Sequence, residues 1–283
     1  MPPEHVAFAR RRLIVIAAPN GARRGKADHP ALPMTAGEIA TAAESLADAG
    51  VAVLHLHVRD AAGAHTLDVG RYREAIAAVR ERVGDRLIIQ ATSEAVGRYR
   101  PDEQIAMVES LRPEAVSLAL RELCPDAKSE ASAGAFFRSL GPMNVWPQYI
   151  LYSADDVARF DGLRRKGFFG DERPFCLLVL GRYASDLEGR LDELRAMQEA
   201  ADLDDFPWAV CCFGRQEHAA ALAAAAAGGH VRLGFENNLH LADGRIASDN
   251  AALVRQFLDA YSAGDRRPAT ADDVRKAWQL PTP

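Results

Sequence analysis

Apolar residues along this chain fall in short runs, often β-branched, and each run is followed by a longer stretch whose apolar positions recur at helical spacing. The runs are RLIVIAAP, VAVLHLHV, RLIIQAT, EAVSLAL, NVWPQYIL, FCLLVLG, FPWAVCCF and HVRLGF, and each reads as a buried strand. The spacing between them predicts helices near 35–49, 68–83, 101–111, 129–140, 153–167, 186–201, 215–227 and 249–263. The first opens on Thr35-x-x-Glu38, the sequence form of a capping box, and closes at Gly50. Parallel strands need helical crossovers, and both faces of their sheet must be covered. Eight such alternations therefore predict an α/β fold, a closed (β/α)8 TIM barrel. A doubly wound open sheet is the second choice, since it usually has fewer strands and a Gly-rich first turn that this chain lacks.

No break divides residues 1–283, so one barrel domain is expected, with an extra C-terminal helix, TADDVRKAW, packed on its outside. The N-terminal stretch up to the first strand reads as strand rather than as a targeting segment. The loop PNGARRGKADHPALPMT after the first strand is long and irregular. A barrel puts that loop at its catalytic face, where it could cover a substrate.

Composition narrows the classes. The 283 residues are 48% hydrophobic and 26% charged, with a net charge of -5. That is enough apolar material for one large core, and the mild acidity argues against nucleic acid as a partner. No apolar run approaches the ~20 residues of a membrane span. Cys124, Cys176, Cys211 and Cys212 have no zinc-ribbon or zinc-finger spacing and are expected to be reduced thiols in a cytoplasmic protein. On a strand, Cys211 and Cys212 point to opposite sides, and both are expected to be packing residues. The alanine tract before Gly228 reads as a helix that packs closely on its neighbours.

The chemistry concentrates in VAVLHLHV. Strand side chains alternate, so His55 and His57 share one face while Leu54, Leu56 and Val58 take the other. Two rings on one face are either hydrogen-bonded core histidines or two ligands of one divalent metal. Their place at the C-terminal end of a barrel strand favours the metal. A catalytic zinc site keeps three protein ligands and an open position, so another ligand is needed at another strand end. Glu236, in HVRLGFENN, fits that place if it is not a solvated loop acid, and Arg232 on the same strand could face inward. His230, at the other end of that strand, reads as structural. His5, His65, His218 and His240 are assigned to loops or helix surfaces without a role, and His29 in the first loop is expected to face solvent.

Taken together, VLHLHVRD, GGHVRLGFENNL, LIVIAAPNGA, LIIQATSEAVG and FPWAVCCFGR resemble the β-keto acid cleavage enzyme family, and the similarity extends through RRPATADDVRKAW. The resemblance implies a zinc-containing barrel, a homo-oligomer such as a dimer or tetramer, that moves acyl groups between a β-keto acid and acetyl-CoA and yields acetoacetate and a new acyl-CoA. His55, His57 and Glu236 then match zinc ligands and Arg232 the catalytic arginine, with Thr92 and Ser117 among hydroxyls that touch substrate. Small molecules are the expected partners, with neither nucleic acid nor membrane.

Departures from the family pattern matter as much. Asn237 stands where the family has an aspartate that helps the arginine in proton transfer, and an amide cannot accept that proton. Ala119 and Arg121 replace an expected Asn and Gly, Ile150 and Arg23 replace acids, and Glu94 enters a more Gly-rich turn. The substrate-binding candidates are Asn20, Arg23, Thr92, Glu94, Ser117 and Arg121, with Arg232 and Asn237 at the chemistry. The lost acids predict a distal substrate group that is anionic or neutral rather than cationic. Two alternatives stay open: a metal-dependent hydrolase of the same fold, and a metal-binding relative that has lost or altered the chemistry.

Overall fold

The structure, a computed structural model, describes residues 3–170, 173–182, 186–262 and 264–281. Eight strands form the closed parallel barrel that the alternation predicts: β1 (Val15–Ala17), β2 (Val53–Leu56), β3 (Ile88–Thr92), β4 (Ala115–Ala119), β5 (Trp146–Leu151), β6 (Cys176–Leu180), β7 (Trp208–Cys212) and β8 (His230–Leu233). The sheet closes through β8 against β1, with Arg232 beside Ile16. Between and after the strands run α1 (Ala36–Asp48), α2 (Val69–Val83), α3 (Pro101–Leu111), α4 (Glu130–Leu140), α5 (Ala154–Arg165), α6 (Leu191–Glu199), α7 (Glu217–Ala226) and α8 (Asn250–Ala260). Residue 263, the predicted end of α8, lies outside the described residues. The capping box at α1 forms as expected. Thr35 Oγ1 accepts from the Glu38 amide at 3.3 Å and Glu38 Oε2 accepts from the Thr35 amide at 3.1 Å.

Alternation along the strands sorts the core into two layers. Leu54, Leu56, Ile89, Ala91, Val116, Leu118, Val210 and Cys212 face the helices, while Ile16, Val53, Ile88, Ala115, Trp146 and Cys211 belong to the cluster inside the barrel. Cys211 and Cys212 therefore take opposite faces, as their adjacency on a strand requires. Inside, the N-terminal half is apolar apart from the buried His230. The next inward positions toward the C-terminal face carry His55, Gln90, Thr92, Ser117, Gln148 and Arg232, all buried. One barrel thus holds a packed floor and a polar upper half.

The floor differs from the sequence reading at both chain ends. The C-terminal helix Ala271–Trp278 does not lie outside the helical ring. Its Ala271, Val274, Ala277 and Trp278 join the interior cluster with Ile14, Trp146 and Phe175. Trp278 sits 5.1 Å from the Trp146 ring and 5.7 Å from Phe175. The helix closes the open mouth below the strands, because the floor side chains would otherwise face water. Its Arg275 is buried and binds Glu114 and the carbonyls of Asp85 and Leu87. The N-terminal segment is not all strand either. Glu4–Ala9 forms a helix whose His5 and Phe8 pack on Trp278.

A third difference follows β2. Val58–Arg59 and His65–Thr66 pair antiparallel as a small hairpin at the catalytic face. Its turn RDAAGAH carries Gly63 at φ +81°, the left-handed conformation that glycine adopts without penalty. This fold-back brings His65 to the site.

Candidate metal and active site

At the C-terminal end of β2 and in the loop after β8, three ligand atoms converge. His55 Nε2 lies 3.1 Å from His57 Nε2, and Glu236 Oε2 lies 3.4 Å from each of those nitrogens. Among the described residues these three side chains are a grouping able to hold a metal ion. Four ligands placed tetrahedrally at zinc's usual ~2.0–2.1 Å are about 3.3–3.4 Å apart, and the observed triangle has those dimensions.

Protons support the fit. Gln90 Nε2 donates to Gln148 Oε1 at 3.3 Å, which leaves Gln90 Oε1 to accept from His55 Nδ1 at 2.9 Å. With its proton on Nδ1, His55 turns a bare Nε2 toward the carboxylate. Burial is the main reason that its pKa falls to about 3, with the Arg232 charge and the neighbouring His57 adding to it, so the ring stays neutral. Burial alone would raise the Glu236 carboxyl. Arg232 foremost outweighs that and holds it well below its usual range. Glu236 Oε2 is nevertheless buried and finds no donor in good hydrogen-bond geometry. A lone pair and an anionic oxygen facing each other without a proton are what a cation would satisfy.

Arg232 is 3% exposed and donates to Glu236 Oε1 at 3.1 Å and to Cys211 Sγ at 3.2 Å. Burial works against its charge, yet Cys211 and Glu236 more than restore it and raise its pKa. Above the triangle lies a narrow cavity whose walls include Thr92, Glu94, Ile150, Arg182 and Phe213. Glu94 is 3.9 Å from His57 Nε2 and pairs with Arg182 at 3.2 Å. Larger hollows elsewhere on the surface, such as that beside Lys26, Glu38 and Asp249, lie away from these groups.

The other candidates fall around this centre in different ways. Thr92 lines the cavity and its hydroxyl accepts from the Glu94 amide at 3.2 Å. Arg23 is exposed at the rim. Ser117 is buried beside Thr92 in the β3–β4 register, and its Oγ is unbonded. Asn20 does not turn its amide to the cavity. Its Nδ2 donates to the His57 carbonyl at 2.9 Å and its Oδ1 accepts from the His57 amide at 3.4 Å, so it fixes the backbone of His57. Arg121 is drawn to Asp156 at 2.6 Å and lies over the Tyr152 ring, because the start of α5 offers it a carboxylate. Asn237 is fully buried, and neither of its amide atoms has a hydrogen-bond partner.

Several residues of the site were not singled out from sequence. His65, assigned to a loop without a role, is 3% exposed and touches His57. His29 does not face solvent: it is 5% exposed, packs against Phe235 with its ring tilted and bonds the Ala247 carbonyl. His230 is structural as expected, its Nδ1 accepting from the Ile14 amide at 3.0 Å. Arg59 binds the carbonyls of Gly21, Ala22 and Arg24 and so folds the first loop against the centre. Gly21, at φ +62°, lets the loop touch Glu236; a Cβ there would stand 2.5 Å from Glu236 Cγ. Arg24 donates to the Phe235 carbonyl at 2.7 Å. Only the HVRD run hinted at Arg59, and nothing local pointed to Gln90, His65 or Arg182.

Comparison with known proteins places the chain. Residues 12–280 match the family described as beta-keto acid cleavage enzyme. The chain is 31% identical to the 3-keto-5-aminohexanoate cleavage enzyme of Fusobacterium nucleatum subsp. nucleatum, over 95% of this chain and 98% of that one. It is 25% identical to the 3-oxoadipate:acetyl-CoA acetyltransferase of Cupriavidus necator, over 95% of each chain. Among solved structures, apo ObcA superposes with a TM-score of 0.70 at 16% identity, over 89% of this chain and 66% of that one. That likeness concerns the fold alone.

Proposed function

Because the chain belongs to the beta-keto acid cleavage enzyme family, we propose that it transfers an acyl group from a β-keto acid to CoA, using acetyl-CoA and releasing acetoacetate, at a zinc ion held by His55, His57 and Glu236. The observation that carries the metal is the 3.1–3.4 Å triangle of two Nε2 atoms and one carboxylate oxygen. In the proposed reaction, the carbon between ketone and carboxylate loses a proton and attacks the acetyl carbonyl. The expelled CoA thiolate attacks the distal ketone, and carbon–carbon cleavage gives the new acyl-CoA and an acetoacetate enolate, which takes back the proton removed at the start. Zinc, when bound, supplies Lewis acidity toward the oxygens of the keto acid.

The chain's own residues divide the remaining work. Arg232, paired with Glu236 at 3.1 Å, neutralises a substrate carboxylate or a developing oxyanion. Thr92 presents a hydroxyl to a substrate oxygen. Asn237 has no basic atom to take the proton. Two carboxylates line the cavity, Glu236 and Glu94; with Glu236 given to the metal, we assign Glu94 the role of general base. Ile150, Val179 and Phe213 make the distal wall apolar, Arg182 offsets the Glu94 charge, and the rim Arg23 adds a positive one. This wall suits an alkyl or carboxylated distal group and penalises an ammonium.

The test is acetoacetate formation from acetyl-CoA and a panel of alkyl, carboxylated and amino-substituted β-keto acids, with a chelated control. Turnover that disappears on chelation and returns with zinc is expected. Preference for the amino-substituted member would overturn the specificity, and undiminished turnover in the metal-free protein would overturn the zinc assignment.

A further inference from the structure

The metal centre contains a ring whose proton is not accounted for by its ligand role. His57 can offer Nε2 to a metal only if its own proton rests on Nδ1, and a buried Nδ1–H requires an acceptor. For His55 that acceptor is the Gln90 carbonyl oxygen. For His57 the group facing Nδ1 is a third imidazole, His65 Nδ1, at 3.3 Å.

We propose that His65 is a positioning residue that accepts the His57 Nδ1 proton and thereby fixes the tautomer in which His57 Nε2 is free to bind metal. The direction follows from the far side of the ring. His65 Nε2 lies 3.0 Å from the Glu94 backbone carbonyl, and a carbonyl oxygen only accepts, so the His65 proton sits on Nε2. His65 Nδ1 is then bare and must accept in its turn. The chain runs from the Glu94 carbonyl through His65 and His57 to the ligand atom, with one proton for each link. The opposite arrangement would put two acceptors face to face at Glu94 and place a proton on His57 Nε2, where it would block the metal. The hairpin register sets the geometry: His65 pairs with Arg59, two residues beyond His57. The same short element thus carries Arg59 to the first loop and His65 to the ligand.

This inference rests on the metal reading above, and its test has an arm that needs no metal. Imidazole nitrogen NMR of the metal-free wild-type protein should show His65 protonated at Nε2 and bare at Nδ1, the acceptor state that the His57 Nδ1 proton needs. His65 protonated at Nδ1 would overturn the proposal. In titrations with zinc, His65→Leu should bind about 10–100-fold more weakly. His65→Asn, whose Oδ1 can take the place of Nδ1 as acceptor, should recover most of that loss. If His65→Leu unfolds, the wild-type spectrum and His65→Asn still decide. A folded His65→Leu that binds zinc within twofold of wild type overturns the role of His65. Failure of the wild-type protein to bind zinc overturns the metal assignment instead, while the spectrum still decides the tautomer.

Discussion

At the scale of single residues, the site depends on which atoms carry protons. By accepting at Nδ1, Gln90 leaves His55 Nε2 bare for the proposed metal, so Gln90→Leu should weaken zinc binding about 10–100-fold with little change in fold; isothermal titration against wild type measures it. Asn237 is the second decisive position. Its amide is buried without partners close to Cys211, and Asn237→Asp would restore a carboxylate next to the ligand Glu236. Turnover on a good β-keto acid is expected to rise in that variant. If it does not, with zinc content unchanged, Glu94 already suffices as base; in either case Glu94→Gln in the otherwise wild-type chain should abolish turnover while leaving zinc binding in place.

Elements decide whether those atoms can meet. The C-terminal helix buries Trp278 against Trp146, Phe175 and the N-terminal helix. Truncating a buried aromatic typically costs about 3–5 kcal/mol, so Trp278→Ala should lower the denaturant midpoint sharply without changing the metal ligands. The amphipathic pattern of that helix was legible, since Ala271, Val274, Ala277 and Trp278 fall on one face. Where that face would pack was not, because an apolar helical stripe is equally satisfied by the outer ring and by the barrel floor. The hairpin after β2 was missed for a related reason. Its two strands are each two residues long, too short for alternation to register.

For the whole molecule, several imidazoles are locked neutral inside the fold, and this sets a pH dependence. Burial, with the charge of Arg173 adding to it, lowers His5 to about 4. Burial, helped by Arg266, takes His230 well below its ordinary value. In the unfolded chain both rings titrate near ~6.5. Above that value neither state binds the proton, and the stability tied to the neutral rings is fully present. Below it the unfolded chain takes up protons that the fold refuses, so stability is lost as pH falls toward the folded values, at up to about 1.4 kcal/mol per pH unit for each ring. The melting temperature should therefore drop between pH 6.5 and 5. A flat profile over that range would mean that the buried rings are protonated in the native protein.

The sequence by itself determined the alternation of eight strands and helices, the shared face of His55 and His57, and the motifs that mark the family. Periodicity and local spacing are properties of neighbours along the chain, so they can be read without coordinates. Tertiary structure decided which distant groups complete the site. Closure of β8 against β1 brings Glu236 to the two rings, and the β2–β3 pairing sets Gln90 beside His55. The hairpin returns His65 to His57, while Asn20 and Arg121 are drawn to a backbone and to Asp156. Each of these outcomes depends on where a buried polar atom finds its partner across long stretches of chain, a choice that the barrel's closure and register make.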